Sequence, residues 1–345
     1  MHEQSAVSPG AAPASVARRS GLLSVGVVVT LAVAIATGLV LPAVVPSVLF
    51  MTLMTQAVIN GVLATGVGFL VKQNGVVSFG HAAFFGLAAY TIALSMKYRL
   101  MPPEAAIILA LVVPVLLALL LGLVIMRIPG VAFSMLTLAV GQALFEVVLR
   151  WRELANGEDG LAIKFPAEVF GVAVGLFQNP HRMFLVCWIA LVLVMFGIHV
   201  LTASRFGRLT EAIRENEERA RFIGYRTVVP RALVYAVSAL VAAVAGVLFA
   251  LYNAFVSPDA LHWSLSGSAL IMAIIGGPRL LWGPAFGAVI FFFFKDLAGD
   301  FSEHWPAMIG VTLIVVTVLL PEGAGGALAR SLARLRARPV AEGAG

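Results

Sequence analysis

The sequence predicts an all-α polytopic membrane protein with about 8 to 10 membrane-spanning helices and a charged cytoplasmic helix between two of them. Three observations lead there. First, 61% of the 345 residues are hydrophobic and only 12% are charged, too few polar groups to coat an apolar core in water. Second, apolar runs long enough to cross about 30 Å of hydrocarbon recur from Gly21 to Leu320. Third, those runs are continuous, whereas barrel strands alternate apolar and polar residues, so the backbone must satisfy itself as helix.

The runs fall at 21–45, 48–71, 76–96, 104–126, 131–150, 182–203, 230–252, 266–278, 283–299 and 305–321. The eighth is too short to span untilted, and Gly276, Gly277 and Pro278 separate it from the ninth. That pair reads as a helical hairpin or one re-entrant element, leaving eight or ten spans open. Before the membrane domain at 21–321, residues 1–20 are rich in Ala, Pro and Ser and read as a disordered cytoplasmic tail ending in Arg18 and Arg19. The run that follows is longer than a signal-peptide core, so an uncleaved first span is expected. Residues 322–345 read as a basic cytoplasmic C-terminal tail. The single cysteine, Cys187, excludes an intrachain disulfide.

Charge sets the expected orientation. With the N-terminus in the cytoplasm, 16 of the 23 basic residues fall inside, and only Lys97, Arg99, Arg150, Arg152, Lys164, Arg182 and Lys295 fall outside. Both termini are therefore expected in the cytoplasm. The net charge of +6 follows from this topology and from anionic inner-leaflet lipid, without a nucleic-acid partner.

Between the sixth and seventh spans lies the longest internal charged stretch, the loop 204–229. Leu209, Ala212, Ile213, Ala220 and Ile223 share one stripe at helical spacing, and Glu211, Arg214, Glu215, Glu218 and Arg219 occupy the opposite face. Glu215 with Arg219, and Glu217 with Arg221, stand four apart with the acid first, each pair contributing about 0.3–0.5 kcal/mol. Gly224 offers a C-terminal stop. Such a helix either rests on lipid headgroups or acts as a rigid knob through which a cytoplasmic motor moves the spans.

The residues here carry a resemblance. AIRENEERARFIGY followed by RALVYAVSALVAAVAGVLFA, with Glu218, Ala220 and Gly224 spaced like the permease EAA-and-glycine motif, resembles the membrane subunits of ABC importers. More narrowly, the chain is similar to the LivM-type permeases of branched-chain amino acid importers. GVVSFGHAAFFGLAAYT (Gly75 to Thr91), NGEDGL (Asn156 to Leu161) and IIGGPRLLWGPAFGA (Ile274 to Ala288) resemble that family's motifs in the same order, although Pro278, Arg279 and Leu280 depart from its usual turn. The resemblance implies a permease subunit of the bacterial inner membrane, paired with a second, LivH-type permease, two ATP-binding cassette subunits and a periplasmic solute-binding protein. It also implies a coupling role for Glu211, Arg214, Glu218, Ala220 and Gly224, and branched-chain or related amino acids as solute. A urea or short-amide permease on the same scaffold stays open.

Enzyme chemistry finds no support. The chain has no G-x-x-x-x-G-K-[ST], none of its four lysines follows a glycine, and H-E-x-x-H and G-x-S-x-G are absent, so ATP is expected on partner subunits. The six histidines have no metal-ligand spacing. An ion-coupled secondary transporter would place acids at mid-membrane, where this sequence has few. Polar residues inside apolar spans remain. Gln56 and Asn60 are four apart, with Gly61 and Thr65 continuing their face, and either line a path or bond between helices at about 0.6 kcal/mol each. Ser78 and His81 follow the Asn74-Gly75 break and either meet a solute or pack. Asp159, in the outer loop, either meets a binding protein or is solvated.

Overall fold

The computed structural model describes residues 25–301, 304–320 and 322–337. The predicted tail at 1–20, with Arg18 and Arg19, lies outside them, as do residues 338–345.

A helix stands at each of the ten apolar segments. They are α1 (Val25–Val44), α2 (Val48–Asn74), α3 (His81–Lys97), α4 (Pro103–Ile125), α5 (Val131–Arg150), α8 (Pro180–Ala203), α11 (Val228–Asn253), α12 (Trp263–Gly276), α13 (Gly283–Phe301) and α14 (Trp305–Leu319). The one-turn helices α6 (Arg152–Ala155) and α7 (Gly175–Gln178) lie between α5 and α8, α9 (Arg205–Glu215) and α10 (Glu217–Phe222) between α8 and α11, and α15 (Gly323–Ala337) follows α14. Among the described residues, five helices, α2, α4, α5, α8 and α11, are long and apolar enough by themselves to cross a bilayer, and shorter apolar stretches occupy Ile35–Val44, Trp263–Gly276 and Pro306–Val316. The protein is a multi-pass membrane protein.

Two helices form the centre. In α2 and α11, 67% and 72% of the most apolar stretch is buried, against 28%, 17% and 28% in α4, α5 and α8. The low values leave α4, α5 and α8 with broad apolar faces for lipid or a partner. α11 packs on α2, α3 and α4, while α2 also meets α8 and α13. Small residues allow this: a Cβ at Gly246 of α11 would stand 2.1 Å from the Phe85 carbonyl oxygen of α3, so only glycine permits the crossing.

The structure refines the sequence reading at four places. Helix α3 begins at His81 and not at residue 76, because residues 75–80 are non-helical and bond to hydroxyls of other helices. The eighth and ninth segments form two helices joined by a tight turn, with Leu280 N–H donating to the Gly277 carbonyl at 3.2 Å, which supports the hairpin over one re-entrant element. The segment assigned to a C-terminal tail carries α15 from Gly323, and it packs onto α12 and α13. A Cβ at Gly325 would meet the Gly276 carbonyl at 2.5 Å, so small residues at its start dock it against that turn. Lastly, the loops after α5 and after α11 hold short strands that helical periodicity did not announce. β1 (Leu161–Ala162) pairs antiparallel with β4 (Phe255–Val256), and β2 (Glu168–Val169) with β3 (Val172–Ala173).

Candidate functional site

Two joints hold most of the candidate residues, the charged loop between α8 and α11 and the break between α2 and α3. The loop folds as two helices, where periodicity predicted one. Ser204 starts α9 by accepting from the Gly207 N–H at 3.2 Å. Asn216 then adopts extended backbone and caps α10, its Oδ1 accepting from the Arg219 N–H at 2.8 Å. This break resets the helical phase. Ile213 and Ala220 stay buried as expected, but Ala212 within α9 is exposed, and beyond Asn216 Ile223 is 71% exposed, so the predicted stripe holds only in part. For the same reason Glu215 and Arg219 form no ion pair among the described residues, whereas Glu217 and Arg221 do. Gly224 ends α10 at φ 91°, a left-handed conformation that a side chain would strain.

Two anchors fix this knob to the central helices. Arg214 of α9 donates to the Lys72 carbonyl in the last turn of α2, where a cation also meets the negative end of the helix dipole. Its stem lies over Gly75, where an added Cβ would stand 3.0 Å from Arg214 Cγ. Glu217 makes the second anchor, which sequence reading recognised only as a local pair. Its carboxylate accepts from Arg221, from the Thr227 hydroxyl at 2.8 Å and from Arg231 of α11 at 2.9 Å. Burial of the carboxyl opposes its ionisation, but Thr227, Arg231 and Arg221 outweigh that and hold it below the ordinary carboxylate range. The buried Arg231 carbonyl in turn accepts from Asn74 of α2 at 2.9 Å. Outward from these anchors, Glu211, Glu218 and Arg219 are exposed, and Phe222 is 91% exposed at the tip.

At the break, backbone groups freed from helix are met by hydroxyls from two other helices. From α5, Ser134 Oγ donates to the Val77 carbonyl at 2.7 Å, and Thr137 Oγ1 accepts from the Phe79 N–H at 3.2 Å. From α12, Ser266 Oγ accepts from the Ala82 N–H at 2.7 Å. Ser78 is buried, and its hydroxyl accepts from the Gly80 N–H. Fully buried His81 lies with Nε2 2.5 Å from Ser238 Oγ. Ser238 gives its proton to the Gly66 carbonyl at 2.9 Å, so it accepts from the imidazole N–H. Tyr235 closes the pocket edge-on to His81, Phe84 and Phe133. Sequence reading missed Ser134, Thr137, Ser238 and Ser266; hydroxyls standing alone in apolar spans were the available signal.

On α2, Asn60 Nδ2 donates to the Gln56 carbonyl at 2.9 Å, while Gln56 Nε2 donates to Asn253 Oδ1 of α11 at 3.2 Å. Gly61 faces Ala285 of α13 and Thr65 is buried, so this one face serves several helix contacts. Asp159 lies far along the chain from either joint, exposed at the end of the 3-10 turn Gly157–Asp159. No cluster of His, Cys, Asp and Glu suited to a metal occurs among the described residues.

Comparison with known proteins agrees with this architecture. Residues 49–320 match the family described as "Branched-chain amino acid transport system / permease component". The chain is 26% identical over 289 residues to the high-affinity branched-chain amino acid transport system permease protein LivM of Salmonella typhimurium, covering 78% of this chain and 68% of that one. It is 25% identical over the same length and shares to LivM of Escherichia coli K12. A shorter stretch of 103 residues is 33% identical to the autoinducer 2 import system permease protein LsrC of Escherichia coli O9:H4, covering 30% of this chain and 29% of that one. No solved structure matches. Residues 49–320 include both joints and every central helix, and on that extent the chain belongs to the family of permease components of branched-chain amino acid transport systems.

Proposed function

We propose that this chain is one half of the translocation pore of an ATP-driven importer for branched-chain or related amino acids. A second, LivH-type permease completes the pore, two ATP-binding cassette subunits bind and hydrolyse the ATP, and a periplasmic binding protein delivers the solute. Both termini and the α9–α10 loop lie in the cytoplasm, in keeping with the excess of basic residues on that face.

The double anchoring of the knob carries this reading. Arg214 ties it to the end of α2 and Glu217 ties it to the start of α11, the two most buried long spans. A displacement imposed on Glu211, Glu218 or Arg219 therefore reaches the centre of the bundle from two sides. A loop resting on headgroups needs no such coupling. In this mechanism closure of the ATPase pair shifts α9–α10, α2 and α11 follow, and the polar break around Ser78 and His81 is the hinge. The solute passes along α2 on the side of Gln56 and Asn60, while Asp159 contacts the binding protein.

Charge reversal by Glu218→Lys is expected to reduce co-purification with the ATPase while leaving membrane insertion intact; unchanged co-purification removes the coupling assignment. ATP-driven uptake into vesicles carrying the cognate binding protein, with labelled leucine, isoleucine, valine, urea and acetamide, decides the solute. Uptake of urea or acetamide alone selects the short-amide reading. Uptake that needs an ion gradient but no ATPase selects a secondary transporter. Wild-type uptake by His81→Ala would assign that residue to packing alone.

A further inference from the structure

The end of the bundle opposite the α9–α10 knob holds a cavity of about 740 Å³, whose lining includes Lys97, Arg99 and Lys164 together with Met96, Met101 and Phe165. Three of the seven basic residues assigned to the outer face thus converge on one hollow, on the side of the membrane where cations are otherwise sparse. They come from separate places: Lys97 ends α3, Arg99 sits in the α3–α4 turn, and Lys164 follows β1. Arg99 holds a left-handed backbone at φ 49°, uncommon for a side-chain-bearing residue and frequent where a site is held under strain. No carboxylate within the described residues pairs with any of the three. Lys97 Nζ donates to the Leu154 carbonyl at 3.0 Å and lies 5.1 Å from the Tyr98 ring centre, contacts that leave its charge unneutralised.

Two further features fix the depth and the kind of anion. Tyr98, Trp151 and Phe170 are exposed around this end, as aromatic side chains are at the headgroup level of a bilayer. From there, Ile108, Val112, Leu116, Leu120 and Val124 descend α4 at a spacing of four, each between 44% and 66% exposed, so an unbroken apolar track begins about one turn below the cavity. A cationic mouth above an apolar track matches one molecule, a phosphodiester headgroup with acyl chains.

We infer that the α3–α4 turn and the loop after β1 form a binding site for an anionic phospholipid of the outer leaflet, with its phosphate among Lys97, Arg99 and Lys164 and an acyl chain along α4. Native mass spectrometry of the full-length chain, exchanged between vesicles of phosphatidylglycerol and of phosphatidylcholine, reads this directly. The wild type is expected to retain phosphatidylglycerol in preference. Arg99→Gln and Lys164→Gln are each expected to lower that retention about fivefold, with the effects multiplying in the double variant. Arg182→Gln, an outer cation away from the cavity, is expected to leave it unchanged and controls for bulk charge. Equal retention of the two lipids, or unchanged retention in the double variant, overturns the site. Displacement of the lipid by millimolar inorganic phosphate assigns the cavity to a soluble anion and overturns the lipid reading. Loss of a co-purifying protein from the variants while phosphatidylglycerol stays bound does the same in favour of a protein partner.

Discussion

The α9–α10 knob and the interior break solve the same problem with opposite chemistry. Both interrupt helices and both must satisfy backbone and side-chain groups without regular structure. At the knob the bonds are ionic, with Glu217 shared among Arg221, Arg231 and Thr227 and Arg214 set on the end of α2. At the break they are neutral, made by Ser134, Thr137, Ser238 and Ser266. Hydration accounts for the difference. An ion pair at the membrane surface keeps part of its solvation, whereas one buried among apolar spans pays the full desolvation cost and gains little over a hydroxyl. Rigidity in the bundle therefore comes from close packing and neutral bonds, and long-range attachment at its end comes from charge.

Tests that separate the two regions differ in size. The largest effect is expected in the interior. Gly246→Leu forces a side chain into the Phe85 carbonyl, which neither helix can yield without opening the α3–α11 contact. A loss of about 3 kcal/mol is expected, read as a lower Tm of the purified chain in detergent. A Tm within a degree of wild type would show that the two helices are free to separate.

Next comes Ser238→Ala, which leaves the imidazole N–H of His81 and the Gly66 carbonyl without a shared partner. A cost of about 1–3 kcal/mol follows from the unmet buried donor. Because His81 and Ser238 act as a pair, His81→Phe with Ser238→Ala is expected to cost less than the sum of the single changes. Strict additivity in the four Tm values would contradict the pairing.

The same contrast governs what was readable from the chain. Each apolar segment was visible because hydrocarbon requires a continuous run. Asn74-Gly75 marked the break, since glycine takes the left-handed φ of 68° that ends α2. Bonds between distant residues were not visible. Ser134 and Thr137 lie 57 and 58 residues from Val77 and Phe79, and Arg231 lies 14 from Glu217, separations at which no helical period relates two side chains. Asn216 misled the reading of the knob for a local reason. A single Asn is tolerated within a helix, and only its side-chain bond to the Arg219 N–H shows that it starts a new one.

At the knob the expected effects are smaller and depend on pH. Glu217→Gln removes the counter-charge of the nearly buried Arg231, but the carboxylate side chain is 29% exposed, so water offsets part of the loss and about 1–2 kcal/mol of local stability is expected to go. Faster amide exchange across 217–231, with Tm almost unchanged, is the signature. The folded carboxyl is held below its ordinary value near 4.5, so its contribution is complete above that value. It is expected to persist as the pH falls through 4.5 and to disappear only lower, as the folded carboxyl takes its proton. Glu217→Gln should abolish this pH dependence. An unaltered profile would transfer it to another group.

Glu211→Ala is expected to change least. Its carboxylate stands 3.9 Å from Arg214 and half its side chain is in water, a geometry for which less than about 0.5 kcal/mol is expected. Arg214 itself is held by the Lys72 carbonyl, so the anchor on α2 does not require Glu211. Amide exchange in α9 should therefore match wild type in Glu211→Ala and rise in Arg214→Ala. Any effect of Glu211→Ala on ATP-driven uptake then belongs to a contact outside the chain. If both substitutions loosen α9 equally, the exposed pair and not the helix end holds the knob, and the route from knob to α2 proposed for coupling loses its support.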